Sequence, residues 1–398
     1  MNSSRRCLAS SLAGVSHAPR PVLDRARSRP PARSSRHLAT AVFGLLVVVS
    51  SVAVSSVAAG ETAASAAQPA AVDQRFAELI WSVREARTVS RQEVLSRLAG
   101  TALVLIGETH DNPNHHRVQL QLIDALAARN REPLVAMEQF DRERQADLDR
   151  AREHSPGGSV PDARGVAAAA GFDFAGWSWP LYSPIIERAL DRGWPVVGIN
   201  LSRTQAVQIV RKGVEALAPE EVSRLALRTP LPPDVLLALR NDIEVGHCGL
   251  LPAQMVGAMV DAQRARDAVM AERLLLAVTG QGDRGSGSGH APVTIAVLGR
   301  AHARLDRGVG MHMAARAPSL AMISIGLVEF DPSVAPGEGQ AAGERQARAF
   351  AQADGQNDTS AGGSGRLAFD YLWFTPGIDR EDLCVALTHD RTQSNRSR

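Results

Sequence analysis

Five short, uninterrupted apolar runs are spaced along the chain between segments of helical periodicity, and this alternation limits what the chain can fold into. The runs are Ala102–Ile106, Pro133–Met137, Pro195–Ile199, Val293–Leu298 and Ser319–Ile325. A strand that is apolar on both faces has to be covered on both, which is the condition of a parallel sheet between helical layers. Helical segments fall at 115–129, with Val118, Leu122, Ile123 and Leu126 on one face, and at 183–192, 203–217, 219–227 and 252–278. A further helix is predicted around 74–87. Another begins at Ser90-Arg-Gln-Glu93, a capping box in which side chain and end amide satisfy each other reciprocally. The pattern predicts an α/β fold with a mainly parallel central sheet and helices on both faces. In such sheets ligands bind beyond the carboxyl ends of the strands.

Charge divides the chain unevenly. The 398 residues carry a net +2, but residues 1–59 hold eight arginines against one acid, Asp24, so the rest is net −5. The basic stretch precedes an apolar run, Ala41–Val49, and small residues at Val57-Ala58-Ala59. Together these match a secretory signal peptide over 1–59, with an uncleaved membrane anchor as the alternative. Residues 60–72 read as an Ala/Ser-rich linker, 73–380 as a single domain and 381–398 as a tail. Two Gly- and Ala-rich stretches, 280–291 and 332–366, read as loop insertions. No basic stripe with interleaved aromatics follows the leader, so no nucleic-acid partner is expected. Cys248 and Cys384 lie beyond the leader, and the sequence leaves open whether they pair or stay as buried thiols.

The residues that follow the runs carry the chemistry. The first run leads into Gly107-Glu108-Thr109-His110 and the fourth into Gly299-Arg300-Ala301-His302, each a Gly-x-x-His turn after a buried strand. The second ends in Glu138 and the third in Asn200. Ionisable groups at that edge are costly unless they pair or bind something. A Glu–His cluster made of Glu108, His110, Glu138 and His302 suits general acid–base work or a divalent metal. Neither the His-Glu-x-x-His of zinc peptidases nor a Gly-x-Ser-x-Gly nucleophile is present. His115-His116 opens a helix behind Asn112-Pro113-Asn114. The stretch 176–185 is aromatic in a chain with only 4% aromatics, and it contains Tyr182, one of two tyrosines; the other is Tyr371. In the segment 252–278, Met255, Met259, Gln263, Arg266, Asp267 and Met270 recur at helical spacing, as a core-facing stripe with an internal Arg–Asp pair.

Several of these motifs, taken in order, resemble the ChaN-like haem-binding (iron-regulated) proteins, within a superfamily that includes erythromycin-esterase-like proteins. They are Gly-Glu-Thr-His-Asp-Asn-Pro at 107–113, Ala-Met-Glu-Gln-Phe at 136–140, Trp177 with Tyr182, and His247-Cys-Gly-Leu-Leu-Pro252. Ala-Gln-Arg-Ala-Arg-Asp at 262–267, Gly-Arg-Ala-His at 299–302 and Tyr-Leu-Trp-Phe-Thr-Pro at 371–376 complete the set. The resemblance implies a cell-envelope protein of haem or iron uptake, with two face-to-face haems at a homodimer interface. Each haem iron would be ligated by a tyrosine, which falls on Tyr182 with Tyr371 as fallback. Histidine and lysine contacts to the propionates would fall on His115, His116, His247 or Lys212, the sole lysine. No Cys-x-x-Cys-His is present, so haem would be held without thioether links.

Two expectations follow. The first is an exported, periplasmic or envelope protein that binds haem through Tyr182 and works with envelope haem-transport components. The alternative is a hydrolase, metal-assisted or not, using Glu108, His110, Glu138 and His302.

Overall fold

A computed structural model describes residues 79–129, 131–153, 162–280, 292–330, 339–353, 367–381 and 384–385. The expected leader, the linker, the 281–291 part of the first insertion and the tail from 386 onward lie outside the described residues.

The described chain opens with strands β1 (Leu79–Ser82) and β2 (Arg87–Val89) and helix α1 (Arg91–Leu98), capped as expected by Ser90 and Glu93. There follow β3 (Leu103–Glu108), α2 (Pro113–Ala127), β4 (Glu132–Asp141), α3 (Gln145–Glu153), α4 (Ala163–Ala169), α5 (Trp179–Asp191) and β5 (Val196–Asn200). Helices α6 (Arg203–Lys212), α7 (Pro219–Arg224), α8 (Pro233–Gly246) and the long α9 (Ala253–Thr279) lead to β6 (Pro292–Gly299). The chain then makes α10 (Val309–Arg316), β7 (Met322–Glu329), α11 (Gly339–Ala353) and β8 (Tyr371–Thr375). No helix among the described residues is long and apolar enough to cross a membrane.

All eight strands form one sheet in the order β2-β1-β8-β7-β3-β6-β4-β5. The six from β8 to β5 are parallel, and the β1–β2 hairpin adds antiparallel to β8. The apolar runs split by residue parity, as the two-residue period of a strand requires. Val104 and Ile106 pack into the cluster under α2 and α5, while Leu103 and Leu105 pack under α9 and α10. The N-terminal half of α9 runs on into a smaller cluster with α6 and α7, built on Ile209, Val222, Ala265 and Val269.

Three expectations are corrected. The segment predicted as a helix around 74–87 is, where described, the β1–β2 hairpin. Leu79, Ile80 and Trp81 are consecutive and all buried, which a helix with one apolar stripe would not achieve. The second insertion contains α11, which lays Ala342 and Ala347 against the sheet and stacks Arg348 over Trp81. The last run is displaced: β7 ends at Glu329, so that Glu329 joins the carboxyl rim.

The topology places a switch point between β3 and β6. β3 crosses over through α2 to β4, past β6, while β6 crosses through α10 to β7, past β3. The two connections leave neighbouring strands in opposite directions and open a crevice where ligands bind in such sheets. Cys248, in the turn after α8, and Cys384 form a disulfide across 136 residues. Closing so long a loop constrains the unfolded chain strongly. The Cys248→Ser/Cys384→Ser variant is expected to lose about 2–4 kcal/mol of stability, read as a lower midpoint in denaturant titration under non-reducing conditions.

Candidate functional site

The two Gly-x-x-His turns meet at the switch point. The Arg300 amide donates to the Glu108 carbonyl at 2.8 Å. A Cβ on Gly107 would fall 2.6 Å from Ala303 Cβ and 2.8 Å from Arg300 Cα, so the close approach needs glycine there. A Cβ on Gly299 would meet the His110 ring at 2.9 Å and Glu138 Oε2 at 3.5 Å. Gly299 therefore forms the floor between the two acid–histidine pairs.

The first pair is centred on Glu108, which is buried at the end of β3. Its Oε1 accepts from the Tyr182 hydroxyl at 2.7 Å and from His110 Nδ1 at 2.9 Å. Its Oε2 lies 2.9 Å from His116 Nε2, but that N–H points at the His110 carbonyl, 3.0 Å away, leaving Oε2 without a hydrogen bond of its own. Desolvation pushes the Glu108 pKa up, yet the His110 and His116 interactions outweigh it and hold it at about 2. An ionised carboxylate only accepts, so His110 carries its proton on Nδ1 and turns Nε2 toward the crevice. The His110 side chain is 47% exposed and stands edge-on to Trp177 at 4.8 Å. Desolvation lowers its pKa, but the Glu108 bond and the Glu138 and Glu108 charges prevail and raise it.

The second pair is Glu138 with His302. Glu138 Oε2 accepts from the Gly299 amide at 2.7 Å, and Oε1 from Arg266 Nη2 at 2.8 Å. Arg266 also reaches Asn200 through Nε at 3.2 Å, tying together the ends of β4 and β5. His302 stands between two carboxylates: Nε2 is 3.3 Å from Glu138 and Nδ1 is 2.6 Å from Asp267. Burial opposes its charge, but Glu138 and Asp267 raise its pKa to about 9, so at neutral pH it is an imidazolium. Desolvation likewise opposes ionised Glu138, and His302 and Arg266 hold it well below the carboxylate range.

Thus Glu108, His110, Glu138 and His302 come together as the sequence suggests, and Tyr182 joins them, fully buried on α5. Other candidates stand elsewhere or inward. His115 is buried, accepts the Thr109 amide on Nδ1 at 2.8 Å, and is kept neutral with a pKa of about 4, chiefly by desolvation. His116 is buried against Tyr182. His247 bonds to the Ile243 carbonyl at the end of α8, and Lys212 occupies the exposed last turn of α6. No contact joins either to the cluster among the described residues. Tyr371 lies at the amino end of β8 with its hydroxyl held by Arg97 at 2.8 Å, away from the carboxyl rim.

Sequence reading did not place Asp267 or Arg266 in the site, although the Arg–Asp pair on α9 was the available signal. It also missed Arg380, which clamps Asp111 and Glu329 and so pins the loop after His110 to the end of β7. Among the described residues no group of three or more His, Cys, Asp or Glu side chains is arranged to hold a metal ion, so a divalent metal has no support.

The opposite shifts of Glu108 and His302 bound the pH range of greatest stability. Glu108 is depressed from 4.5 to about 2, so its contribution is complete above pH 4.5 and is lost as pH falls toward 2. His302 is raised from 6.5 to about 9, so its contribution is complete below pH 6.5 and is lost as pH rises toward 9. His115, which burial lowers from 6.5 to about 4, adds a further loss as pH falls below 6.5, so unfolding free energy is expected to peak near pH 6.5. The alkaline decline should be on the order of 3 kcal/mol and should flatten in His302→Gln, as measured by denaturant titration across pH.

No curated protein matches the chain. Its fold resembles that of ChaN of Campylobacter jejuni, described with cofacial haem binding, at 18% identity and a TM-score of 0.52, over 75% of this chain and 97% of that one. A variant erythromycin esterase, EreC, in its open conformation aligns over 77% of this chain and 98% of its own, at 14% identity and a TM-score of 0.40. The model of the family described as haem-binding uptake, Tiki superfamily, ChaN matches residues 94–313, more than half of the chain, and spans both Gly-x-x-His turns. The chain belongs to the ChaN family of haem-binding uptake proteins.

Proposed function

We propose that the protein is exported to the cell envelope and binds haem there without covalent attachment, in haem or iron uptake or storage. Family membership across 94–313 carries this reading. Export is supported by the arginine-rich, then apolar, leader and by the Cys248–Cys384 disulfide, a bond that persists in oxidising compartments. The crevice mouth, with half-exposed His110 edge-on to Trp177, offers an aromatic edge to a porphyrin face. The partner contacts that the family implies would come from a second copy, through His247 or Lys212, on the loaded homodimer. Delivery or receipt of haem would then involve other envelope components.

The tyrosine on which iron ligation would fall does not fit that role as it stands. Tyr182 is buried, and its hydroxyl is committed to Glu108. Haemin titration of the chain without residues 1–59 tests the binding itself. The expected result is a saturable red shift of the Soret band, accompanied by a monomer-to-dimer change in sedimentation. A titration that matches haemin in buffer alone overturns the reading.

A second reading, hydrolysis, is favoured by one observation: both histidines are supported by carboxylates, and His110 and Glu138, the carboxylate beside His302, meet over Gly299. His110, oriented by Glu108, would take a proton from water through its free Nε2, and the His302 imidazolium would stabilise developing negative charge. If so, Glu108→Gln/His302→Ala should lower any esterase or peptidase activity of the wild-type chain by about 10²–10⁴-fold. An unchanged rate removes this reading.

A further inference from the structure

We propose that Tyr182 is a positioning residue that orients Glu108, and through it His110, and that it is not a ligand for haem iron. The second half of this statement rests on the haem reading; the first does not. Tyr182 sits in the first turns of α5, with no exposed surface. Its ring is held edge-on by His116 at 4.5 Å, Trp177 at 5.6 Å and Phe172 at 6.3 Å between centroids.

The hydroxyl donates to the same Glu108 oxygen that receives His110 Nδ1. One carboxylate oxygen thus carries two donors, and the second oxygen is bounded by His116. With two donors on Oε1 the carboxylate has one orientation, and His110 one tautomer, with Nε2 lying against Gly299 in the crevice.

Iron ligation would require the reverse of this arrangement. A ligating phenolate gives up its proton, which here would set two anionic oxygens 2.7 Å apart in a buried site. Burial and the Glu108 charge already push the phenol well above its ordinary range. To reach a haem outside the fold the ring would have to leave three aromatic contacts. Glu108 would then lose a donor where desolvation makes each lost hydrogen bond costly. Trp177 packs edge-on against both the His110 and the Tyr182 rings.

Wild-type chain and Tyr182→Phe are compared in two measurements. Nitrogen-15 shifts of neutral His110 read its tautomer without any haem. The expected result is one dominant Nδ1–H form in the wild type and a mixture in Tyr182→Phe. Haemin titration followed by absorption and resonance Raman reads the iron ligand. The expected result is no iron–tyrosinate signature in the wild type, and affinity within about threefold in Tyr182→Phe. An unaltered tautomer in Tyr182→Phe overturns the positioning role. A tyrosinate signature that Tyr182→Phe abolishes overturns the rest. If haemin does not bind, the haem reading falls, and the tautomer comparison still decides the role of Tyr182. If Tyr182→Phe does not fold, the wild-type Raman spectrum decides the ligand, and the same tautomer comparison on Tyr182→Met, which also removes the hydroxyl, decides the orientation.

Discussion

The contact on which the site depends is backbone to backbone: the Arg300 amide on the Glu108 carbonyl, where the turn after β6 passes over the turn after β3. The two turns can come this close only if residue 107 has no side chain. The approach happens where neighbouring parallel strands send their connections to opposite faces, so the crevice follows from the topology and the glycine makes it narrow. His110, two residues beyond β3, and Glu138, the carboxylate beside His302, then meet over Gly299. Moving either turn by a side chain's width would separate the pairs.

Within that crevice the charges nearly cancel. Glu138 and Asp267 are answered by the His302 imidazolium and the Arg266 guanidinium, and Glu108 by the hydrogen bonds that Tyr182 and His110 donate to it. A buried cluster of this kind is tolerable because each charge has a partner at hydrogen-bond distance. It is weakly suited to capturing a free cation, since its carboxylates are already taken. A neutral or amphipathic ligand at the mouth meets His110 and Trp177 first, and this holds for a porphyrin face and for an ester alike.

Support for the His110 loop comes from the far end of the chain. Asn112 caps α2 with its side-chain oxygen and donates to Glu329 and to the Pro376 carbonyl. Arg380 then joins Asp111 and Glu329. The Asp-Asn-Pro that follows His110 and the Thr-Pro that ends β8 are therefore two sides of one joint. The disulfide at Cys384 ties this same C-terminal segment to the turn after α8.

Much of the fold was legible in the residues, because a strand buried on both faces must be apolar at every position and that signature is local. The parallel sheet, the helices on its two faces and the meeting of Glu108, His110, Glu138 and His302 follow from it, since strand ends of a parallel sheet share one rim. The hairpin at 79–89 was not legible: an apolar Leu79-Ile80-Trp81 is a strand only because β8 pairs with it, while α11 lies over Leu79 and Trp81 and the cluster containing α1 takes Ile80. Nor could Tyr182 be assigned. Its type and motif suggest an available phenol, and only packing against His116 and Trp177 turns the hydroxyl inward onto Glu108. The sequence by itself determined the layers, the rim and the kinds of group on it, because these depend on local periodicity. Which groups pair, which are charged and which reach solvent was decided by tertiary structure, because hydrogen bonds and desolvation act between residues tens to hundreds of positions apart.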